Sequence, residues 1–223
     1  MGVADMAPSD YGIEVEGGLP LGSMKMNYDF ALTNSMLLNN DGTLSSGSLG
    51  DVNNNKSFTG RLGILPFSNS TLELGVSGMF GKVGTPGTSF QNAKGQSYAF
   101  DLNYVNTIHP FLINIKAQYN IQNVSDVNYI SPVDSVTAYT FTNHSTAAFI
   151  QCAIRPTTLN NFLHDVELAG RYTSYNTPAN SIWGSNQSSF TLGLSYWLSW
   201  RSALRVSYES YTGNSTAYTN RKK

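Results

Sequence analysis

The side chains best able to act on a solute are scattered along the whole chain. Lys25, Arg61, Lys116, Arg171 and Arg205 alternate with Glu14, Glu16, Asp29, Glu73, Asp101, Glu167 and Glu209. Carboxylates and guanidiniums at such spacing can attract or repel an ion through Coulomb forces, and can pair with one another across neighbouring strands. They offer no proton-transfer dyad. The histidines, His109, His144 and His164, stand beside predicted turns or at loop ends. His164 and Asp165 are adjacent, and on a strand adjacent residues point to opposite faces. No nucleophile elbow, P-loop, H-E-x-x-H or Cys/His cluster occurs. A Ser/His/Asp set assembled across strands remains the route to a hydrolase, but the expectation is no enzyme, no catalytic residues, no metal site and no cofactor.

The elements that must position these charges have a period of two. Met24, Met26, Tyr28, Phe30 and Leu32 share one face, against Lys25, Asn27, Asp29, Ala31 and Thr33. The same alternation places Leu72, Leu74, Val76 and Phe80 against Glu73 and Ser77, and Phe190, Leu192 and Leu194 against Thr191 and Ser195. It recurs around Ile13, Leu62, Phe100, Ile115, Ile150, Leu168 and Val206. About ten strands of roughly 9–12 residues result, longer than the usual globular strand. The chain reads as all-β and antiparallel, a single domain over residues 1–223.

Connections alternate in length. Gly17–Ser23, Pro66–Ser70, Asn106–Pro110, Arg155–Phe162 and Leu198–Ser202 are short; Asn34–Asn55, Lys82–Gln96, Asn123–Asn143 and Ser174–Gln187 are long. The pattern predicts up-and-down hairpins with every long loop at one end. The long segments, rich in Asn, Ser and Thr, read as solvated loops able to fold inward as a constriction.

Composition narrows the class. The 223 residues carry a net charge of −1 and only 12% charged side chains, which excludes a basic nucleic-acid binder. Aromatics at 12% argue against disorder. The one cysteine, Cys152, excludes an internal disulfide framework and falls on the apolar register. No apolar run approaches the roughly 18 residues of a spanning helix. Met1 to Met6 lack the basic and apolar regions of a signal peptide, so the chain reads as a mature or truncated form, or as a cytoplasmic protein.

Alternation alone does not say which face meets water. A soluble up-and-down barrel would put the apolar face inside. Four to six large apolar side chains on most strands are too many for a small closed interior. The polar face mixes Gly, Ser, Asn and Gln with charges, as a wet lumen would. Tyr11, Phe80, Tyr98, Tyr104, Phe111, Tyr119, Tyr172 and Tyr196 sit near strand ends, where an interfacial girdle would lie. The expectation is an antiparallel up-and-down transmembrane β-barrel with its apolar side toward lipid.

Three hairpins carry a resemblance: Gly60-Arg-Leu-Gly-Ile-Leu-Pro-Phe-Ser-Asn-Ser-Thr-Leu-Glu-Leu-Gly-Val-Ser-Gly78, Arg155-Pro-Thr-Thr-Leu-Asn-Asn-Phe-Leu-His-Asp-Val-Glu-Leu-Ala-Gly-Arg-Tyr172, and Phe190-Thr-Leu-Gly-Leu-Ser-Tyr-Trp-Leu-Ser-Trp-Arg-Ser-Ala-Leu-Arg-Val-Ser-Tyr-Glu209. From about Asp10 to Tyr211 the chain resembles the bacterial outer-membrane porin family that includes the phosphate-selective O/P-type porins, in its C-terminal portion. The resemblance implies a larger pore, usually a homotrimer, in contact with outer-membrane lipid and passing small hydrophilic solutes or ions. The chain departs from it in having too few strands and in ending Tyr218-Thr-Asn-Arg-Lys-Lys223, so a fragment lacking strands at both ends is expected. Phosphate selectivity is not carried over, because the charged face is mixed and slightly acidic. Its expected pore-lining residues are Lys25, Asp29, Arg61, Glu73, Asp101, Lys116, Glu167, Arg171, Arg205 and Glu209. A non-conducting barrel for ligand binding or adhesion, or a soluble carrier, is the competing expectation.

Overall fold

A computed structural model describes residues 11–34, 36–45, 54–125, 127–131, 136–158, 161–199 and 201–215. Along the chain run β1 (Gly12–Leu21), β2 (Met24–Asn34), β3 (Leu37–Leu38), β4 (Leu44–Ser45), β5 (Lys56–Leu65), β6 (Leu72–Lys82) and β7 (Lys94–Ile108). They are followed by β8 (Phe111–Val124), β9 (Tyr129–Ile130), β10 (Ala138–Tyr139), β11 (His144–Pro156), β12 (Val166–Asn176), β13 (Ser185–Ser199) and β14 (Ser202–Ser215). Ten of these make one sheet in the order β1-β2-β5-β6-β7-β8-β11-β12-β13-β14, every neighbour antiparallel. All ten strands expected from the alternation are present. The other four form two small ladders, β3 with β4 and β9 with β10, inside long loops. Among the described residues β1 and β14 pair on one edge each and not with each other, so the sheet is open rather than a closed barrel.

The faces separate by exposure. Ile13, Val76, Leu168 and Val206 stand on the apolar face with 75%, 52%, 58% and 75% of their surface exposed. On the polar face Ser57, Ser77, Ala99, Gln118, Ala153 and Ser189 are all buried. Small side chains shut away on one face and large ones spread on the other mean that the sheet curls about its polar side. The polar face is therefore inner and the apolar face outer. Cys152 is exposed on the outer face, as its register predicts.

The apolar core lies under the long loops, not on the sheet. Leu38, Val83, Phe90, Ala93, Val124, Tyr129 and Phe141 pack together, with Tyr139 and Trp183 against them. Tyr129 and Phe141 stack with ring centroids 4.6 Å apart. The Asp41 carbonyl accepts bonds from Tyr139 Oη and Trp183 Nε1, each at 3.0 Å, tying the first, third and fourth long loops. Gly42 sits at φ +88, and a Cβ there would strike the Phe141 ring, so this turn requires glycine. Met36 reaches down to Met79 and Ala99 on the inner face. The expectation of solvated polar loops is thus corrected: the loops form a packed cap. Its apolar residues are too sparse in sequence to show a period.

Candidate functional site: a charged belt on the inner face

Register decides which charges meet. Glu73, Asn103, Lys116, Gln151, Arg171, Thr191 and Glu209 are successive partners across β6, β7, β8, β11, β12, β13 and β14. Two residues along lies the parallel row Asn27, Gly63, Gly75, Asp101, Gln118, Phe149, Thr173, Ser189 and Tyr211. Asp29 and Arg61 are partners in the next row. Together the rows make a charged belt across the inner face.

Its first half is a cleft of about 610 Å³ lined by Asp29, Arg61, Glu73, Asp101 and Lys116, with Glu16, Asn27 and Gln118. Arg61 is its centre. Nη2 donates to Asp101 Oδ1 at 2.7 Å and to Glu73 Oε1 at 3.1 Å, and Nη1 donates to Asn27 Oδ1 at 3.1 Å. Asn27 Nδ2 closes the ring by donating to Glu73 Oε1 at 3.0 Å. The guanidinium lies over two glycines: a Cβ at Gly75 would meet Arg61 Nη2 and the Asp101 carboxylate, and one at Gly63 would meet Asn27. A planar cation needs this open floor, and any larger residue would lift it. Asp29 Oδ1 and Asp101 Oδ2 are shielded from solvent and have no hydrogen-bond partner within the protein.

The second half is built differently. Arg171 lies with its guanidinium carbon 4.1 Å from the centroid of the Phe149 ring, and its Nε donates to Thr173 Oγ1 at 3.3 Å. Arg171 and Glu209 share a recess of about 430 Å³ with Ser189, Thr191 and Tyr211. Tyr211 Oη donates to Glu209 Oε2 at 2.6 Å. Nearer the short turns, Arg155 and Arg205 stand 5.7 Å and 5.5 Å from the Trp197 ring. Glu167 partners Ser195, which in turn partners Arg205.

Of the ten expected residues, five line the cleft, Arg171 and Glu209 the recess, and Glu167 and Arg205 the end beyond it. Lys25 lies apart, its Nζ donating to Ser70 Oγ at 3.0 Å beside a short turn. Sequence reasoning missed Asn27, Phe149, Arg155, Trp197 and Tyr211 as members of the belt. Parity already places Asn27, Phe149, Arg155 and Trp197 on the polar face, and Tyr211 continues the parity of Glu209 on β14; what parity does not supply is the register that joins them to the charged residues.

The histidines stay outside the belt. His164 Nδ1 and Asp165 Oδ1 do meet, at 3.1 Å, because both lie on an exposed 3-10 helix (Asn161–Asp165) instead of the strand that would have turned them apart. His144 Nδ1 bonds Asn123 Oδ1 at 2.6 Å on the outer face.

No protein-family model, curated protein or solved structure matches this chain.

Proposed function

We propose that these ten strands are wall of a transmembrane β-barrel in the bacterial outer membrane, part of a larger barrel of the porin type. It acts as a passive diffusion channel for small hydrophilic solutes or ions. One observation supports this reading: the large apolar side chains face outward and exposed, while the charged belt lies on the inner face. In water that arrangement would expose far more contiguous apolar surface than a soluble protein tolerates. In hydrocarbon it is the favourable one. The outward run Leu72–Phe80 extends roughly 26 Å along its strand, close to the apolar band of such barrels. The aromatic pairs Phe30–Phe58 and Phe80–Tyr98 near the long-loop end, and Phe162–Tyr196 near the short turns, suit its two interfaces. Among the described residues one edge of β1 and one of β14 have no partner strand, which would be costly in lipid, and this is why further strands, rather than these ten alone, are proposed to complete the wall.

No chemical step or cofactor is involved. Solutes would be sorted by bore and by the belt, with its acid-rich cleft and its arginine-rich half. The test is conductance of the full chain refolded into a planar bilayer under a salt gradient. Long-lived discrete steps require a closed wall, completed by further strands or by several copies of the chain, and where the wall closes the reversal potential is expected to move when belt charges are changed. A second reading has its own support: the packed cap and the descent of Met36 onto Met79 and Ala99 suit a plugged, non-conducting barrel. Protein inserted in the bilayer yet silent would favour it. Monodisperse protein without detergent would overturn both.

A further inference from the structure

Register builds the recess of the second half from three short rows. The first is Arg171, Thr191 and Glu209, a cation and an anion on either side of a hydroxyl. Thr173, Ser189 and Tyr211 make the next, with Ser189 buried at its centre. Tyr175, Gln187 and Gly213 make the last, toward the long loops. Neighbouring strands lie about 4.8 Å apart and alternate residues about 7 Å, so the patch measures about 10 by 14 Å. Its volume of about 430 Å³ is that of a small-molecule site.

Donors, acceptors and flat apolar surface are all present on it. Arg171 gives Nε to Thr173, one of the five N–H donors of a guanidinium. Glu209 accepts from Tyr211 Oη at 2.6 Å, and a carboxylate has about four acceptor sites. Gln187 carries a donor and an acceptor on one amide. Among the described residues no ion pair within 4 Å joins Arg171 to Glu209, so a ligand between them displaces no bridge. The Tyr175 and Tyr211 rings are exposed on opposite walls. Gly213 lies across Gln187 from Tyr175, at φ +138, and a Cβ there would strike the Asn186 carbonyl. Glycine is required at that corner, which leaves the space beside Tyr175 clear of a side chain.

An anion in this recess would meet Glu209, and a cation would meet Arg171. A neutral ligand with adjacent hydroxyls suits both, because each hydroxyl donates and accepts. The C–H face of a saturated ring can lie flat on a tyrosine whose phenol tip stays wet. We propose that the recess is a binding site for a neutral sugar, a pyranose with adjacent equatorial hydroxyls. Arg171 donates to one hydroxyl, Glu209 accepts from its neighbour, and the Tyr175 ring lies against the C–H face. The site deepens the channel reading by naming a solute class, and rests on it only in taking the inner face as the surface that solutes meet.

The test is saturation-transfer difference NMR on the full chain in a sugar-free amine-oxide detergent, with methyl β-D-glucopyranoside as the probe. The native chain should transfer saturation to the ring protons, and inorganic phosphate at matched ionic strength should not displace the glucoside. R171Q and E209Q should each raise its Kd about tenfold, the loss of one charged hydrogen bond. Y175A should raise it about fivefold, and Y175F, which keeps the ring, should bind as the native chain does. No transfer to the glucoside, its displacement by phosphate, or an unchanged Kd in R171Q and E209Q would overturn the site. The phosphate competition needs no variant, so it decides the matter even where a variant fails to fold. Failure here leaves the channel reading to the bilayer measurement, and glucoside bound by a chain silent in the bilayer would overturn conduction while leaving the site.

Discussion

The two halves of the inner belt hold their arginines in opposite ways. In the β1–β8 half, Arg61 is bound edge-on by Glu73, Asp101 and Asn27, so its charge is spent locally. In the β11–β14 half, Arg171 lies flat on Phe149, while Arg155 and Arg205 flank Trp197. An aromatic face steadies a guanidinium without neutralising it, and although Glu209 shares the recess with Arg171 no ion pair within 4 Å joins them among the described residues, so these charges are less quenched than that of Arg61. The same residue type is thus a strut on one side and a field source on the other.

The largest effect should come from breaking the strut. Arg61→Glu would gather a new carboxylate among Glu73, Asp101 and Asp29, whose Oδ1 already lacks a partner. A stability loss of roughly 1–3 kcal/mol is expected, allowing for the water that still reaches the network. Denaturant unfolding in detergent micelles measures it, and in a conducting barrel the reversal potential should move toward cations. An unfolding midpoint equal to that of the native chain would mean Arg61 is no strut.

Arg171→Glu should separate the two roles. It removes a cation–ring contact worth about 1 kcal/mol or less and a long bond to Thr173. The reversal potential should shift toward cations about as far as for Arg61→Glu, with much less lost stability. A stability loss matching that of Arg61→Glu would erase the distinction between the halves.

The smallest effect contrasts the cap with the belt. Burial first, then the Asp41 carboxylate and Tyr129, hold the Tyr139 phenol above its ordinary value. A phenol that titrates higher in the folded cap than in an unfolded chain contributes fully below about pH 10. That contribution fades as the pH rises through the folded value. Limited proteolysis of the long loops should therefore quicken in alkali while the strands stay protected. Tyr139→Phe should remove this pH dependence and cost about 1 kcal/mol through the lost bond to the Asp41 carbonyl. Equal alkaline sensitivity in the Phe variant would place the effect elsewhere.

Much of the sheet was legible because period two is a strong signal over ten or more residues. Met24 to Thr33 admits no helical reading, and β2 follows it to within a residue. What parity cannot supply is register, so the sequence named Glu73, Lys116, Arg171 and Glu209 without revealing that they share a row. The cap was illegible for another reason. Leu38, Phe90, Tyr129, Phe141 and Trp183 come from four separate loops, and only the folded chain brings them together. Phe149 and Trp197 fall on the polar face by parity, but only the folded sheet sets them against Arg171, Arg155 and Arg205.

The size difference between the two faces has a mechanical consequence. With Ser57, Gly63, Gly75, Ser77 and Ala99 on one surface and Phe58, Leu62, Leu74, Val76 and Phe100 on the other, the sheet behaves like a bimetallic strip. Its radius is set by the mismatch in bulk between its layers. Bulk added at Ser77 or Ala99 would open that radius. Bulk removed at Val76 or Phe100 would relax it from the other side, so the curvature of the wall is distributed over every pair of adjacent residues instead of being stored in a hinge.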